Sequence, residues 1–322
     1  IGAGGIAGAH VRGYQAAADA ITVAAVSDVV AENARRRAGE LGDAATYSDY
    51  REMLEKTPVD AVDICLPHHL HVDAIVAAAE AGKHVLCEKP LCLSLDEAAR
   101  VGDAVDKAGI TLMCAHNQLF MPPVAKAREL LTAGAIGTPY ELRTTDSFFN
   151  NFDPANMGWR AHKATSGGGE LIDTGYHPTY LLLHLAGSAP TEVTAMTSTH
   201  RLAFMEGEDS AQVMVRFASG AVGTIITSWA YNPAGCTERF SVVGEKGSLW
   251  SDGTTLSVRE GRGDTHTYTF DPVDGFTAEI ADFARCIREG ARPIDTQVEG
   301  INVLKVILGA YESVEKKAIV AL

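Results

Sequence analysis

The chain has 322 residues, 46% hydrophobic and 21% charged, which is the size of two domains and the composition of a soluble globular protein. Its 27 basic and 41 acidic residues leave a net charge of −14, so no nucleic-acid partner is expected, because phosphates call for a basic surface. No run reaches the roughly 18 consecutive apolar residues of a membrane span, so no membrane partner is expected either.

The chain opens on IGAGGIAGAH, and Gly2-Ala3-Gly4-Gly5-Ile6-Ala7 fits G-x-G-x-x-G/A. Gly2 permits a tight turn, Gly4 lets the backbone approach a pyrophosphate, and Ala7 lets the next helix pack closely. Gly2, Gly4, Gly5 and Ile6 are therefore cofactor-binding candidates, with the pyrophosphate on the N-terminus of that helix. Such a turn follows a central strand, so a strand is expected upstream of Ile1. The run ITVAAVSD (21–28) is the next strand and ends in an acid. Asp28 would accept hydrogen bonds from ribose hydroxyls and repel a 2′-phosphate, which favours NAD over NADP. Arg35, Arg36 and Arg37 are expected on the outer face of the following helix.

Strand and helix keep alternating. VDAVDICLP (59–67) is a strand, HLHVDAIVAAAEAG (69–82) a helix, and KHVLCEKP (83–90) a strand. A helix over 94–109 has Ser94 as N-cap, and ITLMCAHN (110–117) is another strand. This is the pattern of a Rossmann-type, doubly wound parallel sheet, whose ligands bind at the carboxyl ends of the strands. Pro67, Glu88, Lys89 and Asn117 fall at such ends. His68, His69 and His71 have no Cys or carboxylate partner at a ligand spacing, so no metal is expected, and His71 is expected to pack on the cofactor side. Six scattered cysteines form no C-x-x-C pair and read as buried, reduced thiols of a cytoplasmic protein.

After about residue 120 the alternation stops. A helix over 123–137 leads into long strand-like runs at 139–149, 191–201, 210–231 and 237–252, with FASGAVG as a hairpin turn. Helices close the chain over 275–290 and 298–317. The expected organisation is a Rossmann domain over 1–118 and an α+β domain over 119–322 with a large, mostly antiparallel open sheet. One face of that sheet should pack on helices. The other could pair with another subunit, in a homodimer or homotetramer.

Three strings in order carry a resemblance. LPHHLHVDAIVAAAEAGKHVLCEKPL has Pro67, His71, Ala81 to Val85 and Glu88-Lys89-Pro90. WRAHKATSGGGELIDTGYH (159–177) and FARCIREGARPIDTQVEGINVLKVILGAYESVEKK (283–317) follow. Together they resemble the glucose-fructose oxidoreductase / inositol dehydrogenase / rhizopine catabolism (Gfo/Idh/MocA) family. The resemblance implies a cis peptide before Pro90 and a catalytic Lys, Asp and His at Lys89, Asp173 and His177. It also shows departures. Tyr180 stands where the family commonly has Asp, and Gln118-Leu119 stand where it often has arginines, so substrate choice does not transfer.

The chemistry of the residues agrees with that implication. Removing a hydride from a secondary alcohol requires the hydroxyl proton to leave too, so a base and a cation are needed. His177 is the natural base, Lys89 the cation, and Asp173, four residues before His177, would share its helix face. That helix should begin near Asp173 or Thr174, with Pro178 in its first turn. Asn117, Gln118, Trp159 and Arg160 are substrate-pocket candidates, with Trp159 open to a core role instead. The activity expected is NAD-dependent hydride transfer with a sugar, sugar derivative or cyclitol hydroxyl. The resemblance leaves two alternatives, a glycoside hydrolase or lyase working by transient oxidation, and a non-enzymatic NAD-dependent sensor.

Overall fold

Short strands and their crossover helices form the first part of the molecule. The computed structural model describes residues 1–231 and 238–322, so Cys236 and Thr237 lie outside the described residues. After the glycine turn come α1 (Ala7–Ala16), β1 (Ala25–Ser27), α2 (Ala31–Glu40), β2 (Ala45–Tyr47), α3 (Tyr50–Lys56) and β3 (Ala61–Ile64). They are followed by α4 (His71–Glu80), β4 (His84–Cys87), α5 (Leu95–Ala108) and β5 (Leu112–Cys114). All pairings here are parallel, β1 with β2 and β3–β4–β5 in that order. Val85, Leu86, Cys87 and Met113 are fully buried, as strands covered by helices on both faces require. Ile1 and Gly2 bond to both sheets, since Gly2 N–H donates to Ser27 O at 2.8 Å and Cys65 N–H to Ile1 O at 2.8 Å.

Local signals explain the helix ends. Ser94 Oγ accepts the Glu97 N–H at 3.2 Å and Glu97 Oε2 accepts the Leu93 N–H at 2.7 Å, so α5 starts where a cap satisfies its free donors. It stops at Gly109, whose φ of +64° suits glycine.

The second part contains α6 (Pro122–Thr132), β6 (Pro139–Ser147), α7 (Lys163–Ser166), α8 (Glu170–Asp173) and α9 (Tyr176–Ala186). Strands β7 (Pro190–Ser198), β8 (Ser210–Phe217), β9 (Val222–Ser228), β10 (Phe240–Gly244), β11 (Gly247–Ser251), β12 (Thr255–Glu260) and β13 (Thr265–Thr269) follow. The chain ends with α10 (Gly275–Glu289), α11 (Gln297–Lys316) and β14 (Val320–Ala321). One nine-stranded sheet runs β13-β12-β11-β10-β6-β9-β8-β7-β14, antiparallel throughout except for the parallel pair β6–β9. In β8 the burial alternates strictly from Ala211 to Phe217, so one face is core and the other is open. Helix α9 covers the core face at β6 and β9.

The chain divides into two units: Ile1–Asn117 with Val273–Ile301, and Gln118–Pro272 with Asn302–Leu322. Thus α10 belongs with the Rossmann unit, where it packs on α1. Cys65, Cys87, Cys92, Cys114 and Cys286 are buried and unpaired as disulfides. Among the described residues no helix is long and apolar enough to cross a membrane.

Candidate active site

In the first unit the glycine turn has the shape a nucleotide needs. Gly2 has φ +86°, and a Cβ there would lie 2.6 Å from Cys65 O, so no other residue fits. A Cβ at Gly4 or Gly5 would meet nothing within 4 Å, so the space over the turn is open. No side chain caps the N-terminus of α1 and its first turn carries no acid, so the positive end of the helix dipole suits an anion. Asp28 is locked at the end of β1, with Oδ2 accepting the Ala3 N–H at 2.7 Å and Oδ1 the Val30 N–H at 2.7 Å. A carboxylate has lone pairs beyond these two, so ribose hydroxyls suit it. The residues present therefore fit a dinucleotide.

Two arginines are placed differently from expectation. Arg36 Nη2 lies 3.4 Å from Ala3 O and Arg37 Nη2 lies 3.1 Å from Gly4 O. Rather than facing outward from α2, both side chains fold back to the turn, because its carbonyls need donors.

Behind the turn lies a buried polar network that sequence reading missed. His10 Nδ1 is 2.8 Å from Asp63 Oδ2, and Nε2 is 3.0 Å from Glu88 Oε1. The Tyr14 hydroxyl donates to Asp63 Oδ2 at 2.9 Å. Burial works against a charge on His10, but Asp63 outweighs it and holds the imidazolium well above its ordinary range. His10, Asp63 and Cys65 stand close enough to hold a metal. However, the ring nitrogens already serve carboxylates, and burial pushes the thiol up to about 11, so it stays protonated. Glu279 on α10 is fully buried, and burial raises its carboxyl well above the usual range.

The loop after β4 hangs on this network. Glu88 Oε2 accepts the Lys89 N–H at 3.1 Å, and the Lys89–Pro90 peptide is cis. His71 is fully buried, with Nδ1 2.7 Å from Pro90 O and Nε2 2.8 Å from Leu66 O. The expectation that His71 meets the cofactor is therefore revised. His71 sits between carbonyls of the Pro67 loop and the Lys89 loop, and since burial lowers its pKa the neutral ring donates to one of them and packs against the other, which is a positioning task. Lys89 itself is half-buried, as are Pro67 and Asn117.

In the second unit the string 166–177 is a scaffold for two polar side chains. A Cβ at Gly169 would lie 2.1 Å from Glu208 O, and one at Gly168 would lie 2.2 Å from the Tyr311 hydroxyl. The glycines exist so that Glu208 and Tyr311 can approach. Glu208 Oε1 accepts the Leu171 N–H at 2.9 Å and the Tyr311 O–H at 3.0 Å, and Glu208 O accepts the Glu170 N–H at 2.8 Å. This fixes α8. Burial pushes the Glu170 carboxyl well up, where it accepts from the Thr227 hydroxyl.

The helix expected to start near Asp173 is two helices. α8 ends at Asp173, and α9 begins at Tyr176 with Pro178 in its first turn, where no N–H is needed. Asp173 is 5% exposed, and Arg160 Nε donates to its Oδ2 at 2.7 Å. The Arg160 guanidinium stacks 4.3 Å from the centre of the Trp159 ring. Trp159 is half-buried, which sets aside a core role. The Trp229 indole N–H donates to Thr174 Oγ1 at 2.8 Å and steadies the α8–α9 junction.

His177 is half-buried, and its Nδ1 lies 2.8 Å from the Tyr180 hydroxyl. That hydroxyl also accepts the Gln118 N–H at 3.2 Å. The Gln118 side chain turns to Asp146, at 3.4 Å, and Arg239 Nη1 pairs with the other oxygen of Asp146 at 2.8 Å. Asp146 and Arg239 lie outside every motif read from the sequence. Each stands in a β-rich stretch with no spacing signal.

Known proteins fit both units. Residues 1–116 match the profile of the oxidoreductase family with a NAD-binding Rossmann fold, and residues 124–250 match the GFO/IDH/MocA C-terminal domain. The chain is 31% identical to the myo-inositol 2-dehydrogenase of Thermotoga maritima, over 100% of this chain and 97% of that one. It is 33% identical to a D-xylose 1-dehydrogenase (NADP(+)) of Haloferax volcanii, over 88% and 87% of the two. A solved levoglucosan dehydrogenase in complex with NADH and levoglucosan superposes with a TM-score of 0.91 at 27% identity, covering 100% of this chain and 97% of that one.

Proposed function

The chain belongs to the Gfo/Idh/MocA oxidoreductase family, and on that premise we propose that it moves a hydride between NAD and a secondary hydroxyl of a sugar or cyclitol. One observation carries the reading. The same chain holds an open glycine turn with a fixed Asp28 carboxylate and a half-buried imidazole with one nitrogen already engaged. Bound NAD supplies the hydride acceptor. His177 takes the hydroxyl proton, and Lys89 offers positive charge to the developing alkoxide. Asp173, paired with Arg160, accepts a hydrogen bond from a neighbouring substrate hydroxyl, so a polyol suits the site better than a simple alcohol. Asn117, Gln118, Trp159 and Arg160 are proposed as substrate-shaping residues.

NAD is proposed over NADP because Asp28 would repel a 2′-phosphate, although Arg36 stands close by. A homodimer or homotetramer is proposed through the open sheet face, where Met196 and Met214 are 82% and 50% exposed on adjacent strands. The test is absorbance at 340 nm with NAD and myo-inositol, scyllo-inositol, levoglucosan or D-xylose. Turnover of one or more is expected, and silence across cyclitols, anhydrosugars and aldoses would overturn the reading.

A further inference from the structure

We propose that His10 couples cofactor binding to the placement of Lys89: its imidazolium joins the nucleotide-binding helix α1 to the Glu88 carboxylate, which holds the Lys89 amide. The proposal rests on the reading of Lys89 as the cation beside the reacting hydroxyl and deepens it. His10 stands on α1 three residues after Ala7, about 4.5 Å along the axis from the end that suits an anion. Its Nε2 lies 3.0 Å from Glu88 Oε1, and Glu88 Oε2 accepts the Lys89 N–H at 3.1 Å. Two hydrogen bonds therefore separate α1 from the backbone of Lys89, and α1, Glu88 and Lys89 all belong to the first unit.

The link needs a charged ring. His10 Nδ1 lies 2.8 Å from Asp63 Oδ2, so both nitrogens face carboxylate oxygens, which only accept. A neutral imidazole has one N–H and serves one of the two, whereas the imidazolium serves both. The groups around the ring fit that charge. Asp63 on β3 also accepts from the Tyr14 hydroxyl, the Cys65 thiol stays protonated, and burial keeps the Glu279 carboxyl on α10 neutral. The Phe276 ring on α10 lies 5.5 Å from the imidazole. A cation near the N-terminus of a helix opposes the helix dipole, and a pyrophosphate at that end offsets the cost. Nucleotide and imidazolium therefore favour each other, by equal amounts in both directions. The His10–Glu88 bond is firmed when the turn is occupied, and with it the loop that carries Lys89.

The test follows the Lys89 amide by NMR in protein made with isotope-labelled lysine, the signal being assigned with Lys89→Arg. The probe is ADP, which carries the diphosphate and no nicotinamide. In wild type, saturating ADP should move the Lys89 signal. His10→Phe keeps a ring and loses both donors, so it should bind ADP about threefold more weakly and leave the signal in place at saturation. Glu88→Gln has one oxygen, which serves His10 or Lys89 but not both, so its Lys89 signal should also stay in place; it decides the matter if His10→Phe does not fold. Tyr14→Phe takes one hydrogen bond from Asp63 and leaves the link whole, so its response should match wild type. A wild-type signal unmoved at saturation, or one that moves in either link-breaking variant as it does in wild type, would overturn the proposal. So would loss of the response in Tyr14→Phe, which would show general loosening of the network. Absence of ADP binding would overturn it together with the nucleotide reading of the turn. No polyol is needed, so the expected NMR result beside polyols that do not react would overturn the proposed reaction alone.

Discussion

Arg160 Nε lies 2.7 Å from Asp173 Oδ2, and the carboxylate end of this pair is almost fully buried while the guanidinium end is not. A buried carboxylate left without a cation takes up a proton or turns to another donor. Arg160→Ala should therefore lower kcat/KM for the polyol about 100-fold while leaving NAD affinity intact. Arg160→Lys should recover only part of the loss, because an ammonium lacks the planar fork. Steady-state kinetics beside NAD titration check this, and equal losses in both would show that the pair supports the fold rather than the site.

The glycine turn offers a contrast between two substitutions. Gly2→Ala puts a Cβ 2.6 Å from Cys65 O at a positive φ, and should unfold or strongly destabilise the first unit. Gly4→Ala meets no protein atom within 4 Å, and should leave the melting temperature unchanged while reducing NAD affinity. Calorimetry and NAD titration of the two variants separate the roles. A Gly4→Ala protein that binds NAD normally would show that no pyrophosphate approaches there.

Cofactor choice should hinge on Asp28 with Arg36 and Arg37 beside it. Asp28→Ser removes the repulsion and leaves two guanidiniums near the turn, so kcat/KM with NADP should rise and with NAD should fall, each about tenfold. Unchanged selectivity would place the discrimination elsewhere.

The network behind the turn predicts how stability depends on pH. The His10 pKa is raised by Asp63, so its contribution is complete below the unfolded value of about 6.5 and is lost as pH rises through the folded value. The Asp63 pKa is lowered: burial opposes its charge, but the His10 cation outweighs burial. Its contribution is present above about 3.9 and is lost as pH falls through the folded value. Glu279, raised by burial, behaves with the sign of His10 and costs stability at neutral and alkaline pH. Glu279→Met should raise the melting temperature at pH 8 more than at pH 5. His10→Ala should cost about 3 kcal/mol at neutrality, by leaving buried carboxylates without their cation. Thermal melts across pH decide both.

How much of this was legible depended on the kind of signal. The Rossmann unit could be read because G-x-G-x-x-A and the alternation of apolar strands with capped helices are local patterns. Lys89, Asp173 and His177 could be named because their strings are distinctive. What could not be read were contacts made across sequence: His10 with Glu88, Gly169 with Glu208, and Tyr180 with Gln118. Strand β13 was missed because THTYT is an exposed edge with no apolar alternation. The start of α11 carries a local sign of the same kind, since Thr296 and Glu299 form a T-x-x-E cap in which Glu299 Oε2 accepts the Thr296 N–H at 2.8 Å.

The most direct measurement is the effect of Lys89→Ala on turnover and on NAD binding in the same preparation. With Lys89 as the cation beside the developing alkoxide, kcat for polyol oxidation should fall by about three orders of magnitude, while the NAD dissociation constant stays within about threefold of wild type. Loss of NAD binding in step with activity, or turnover close to wild type, would contradict the role assigned to Lys89.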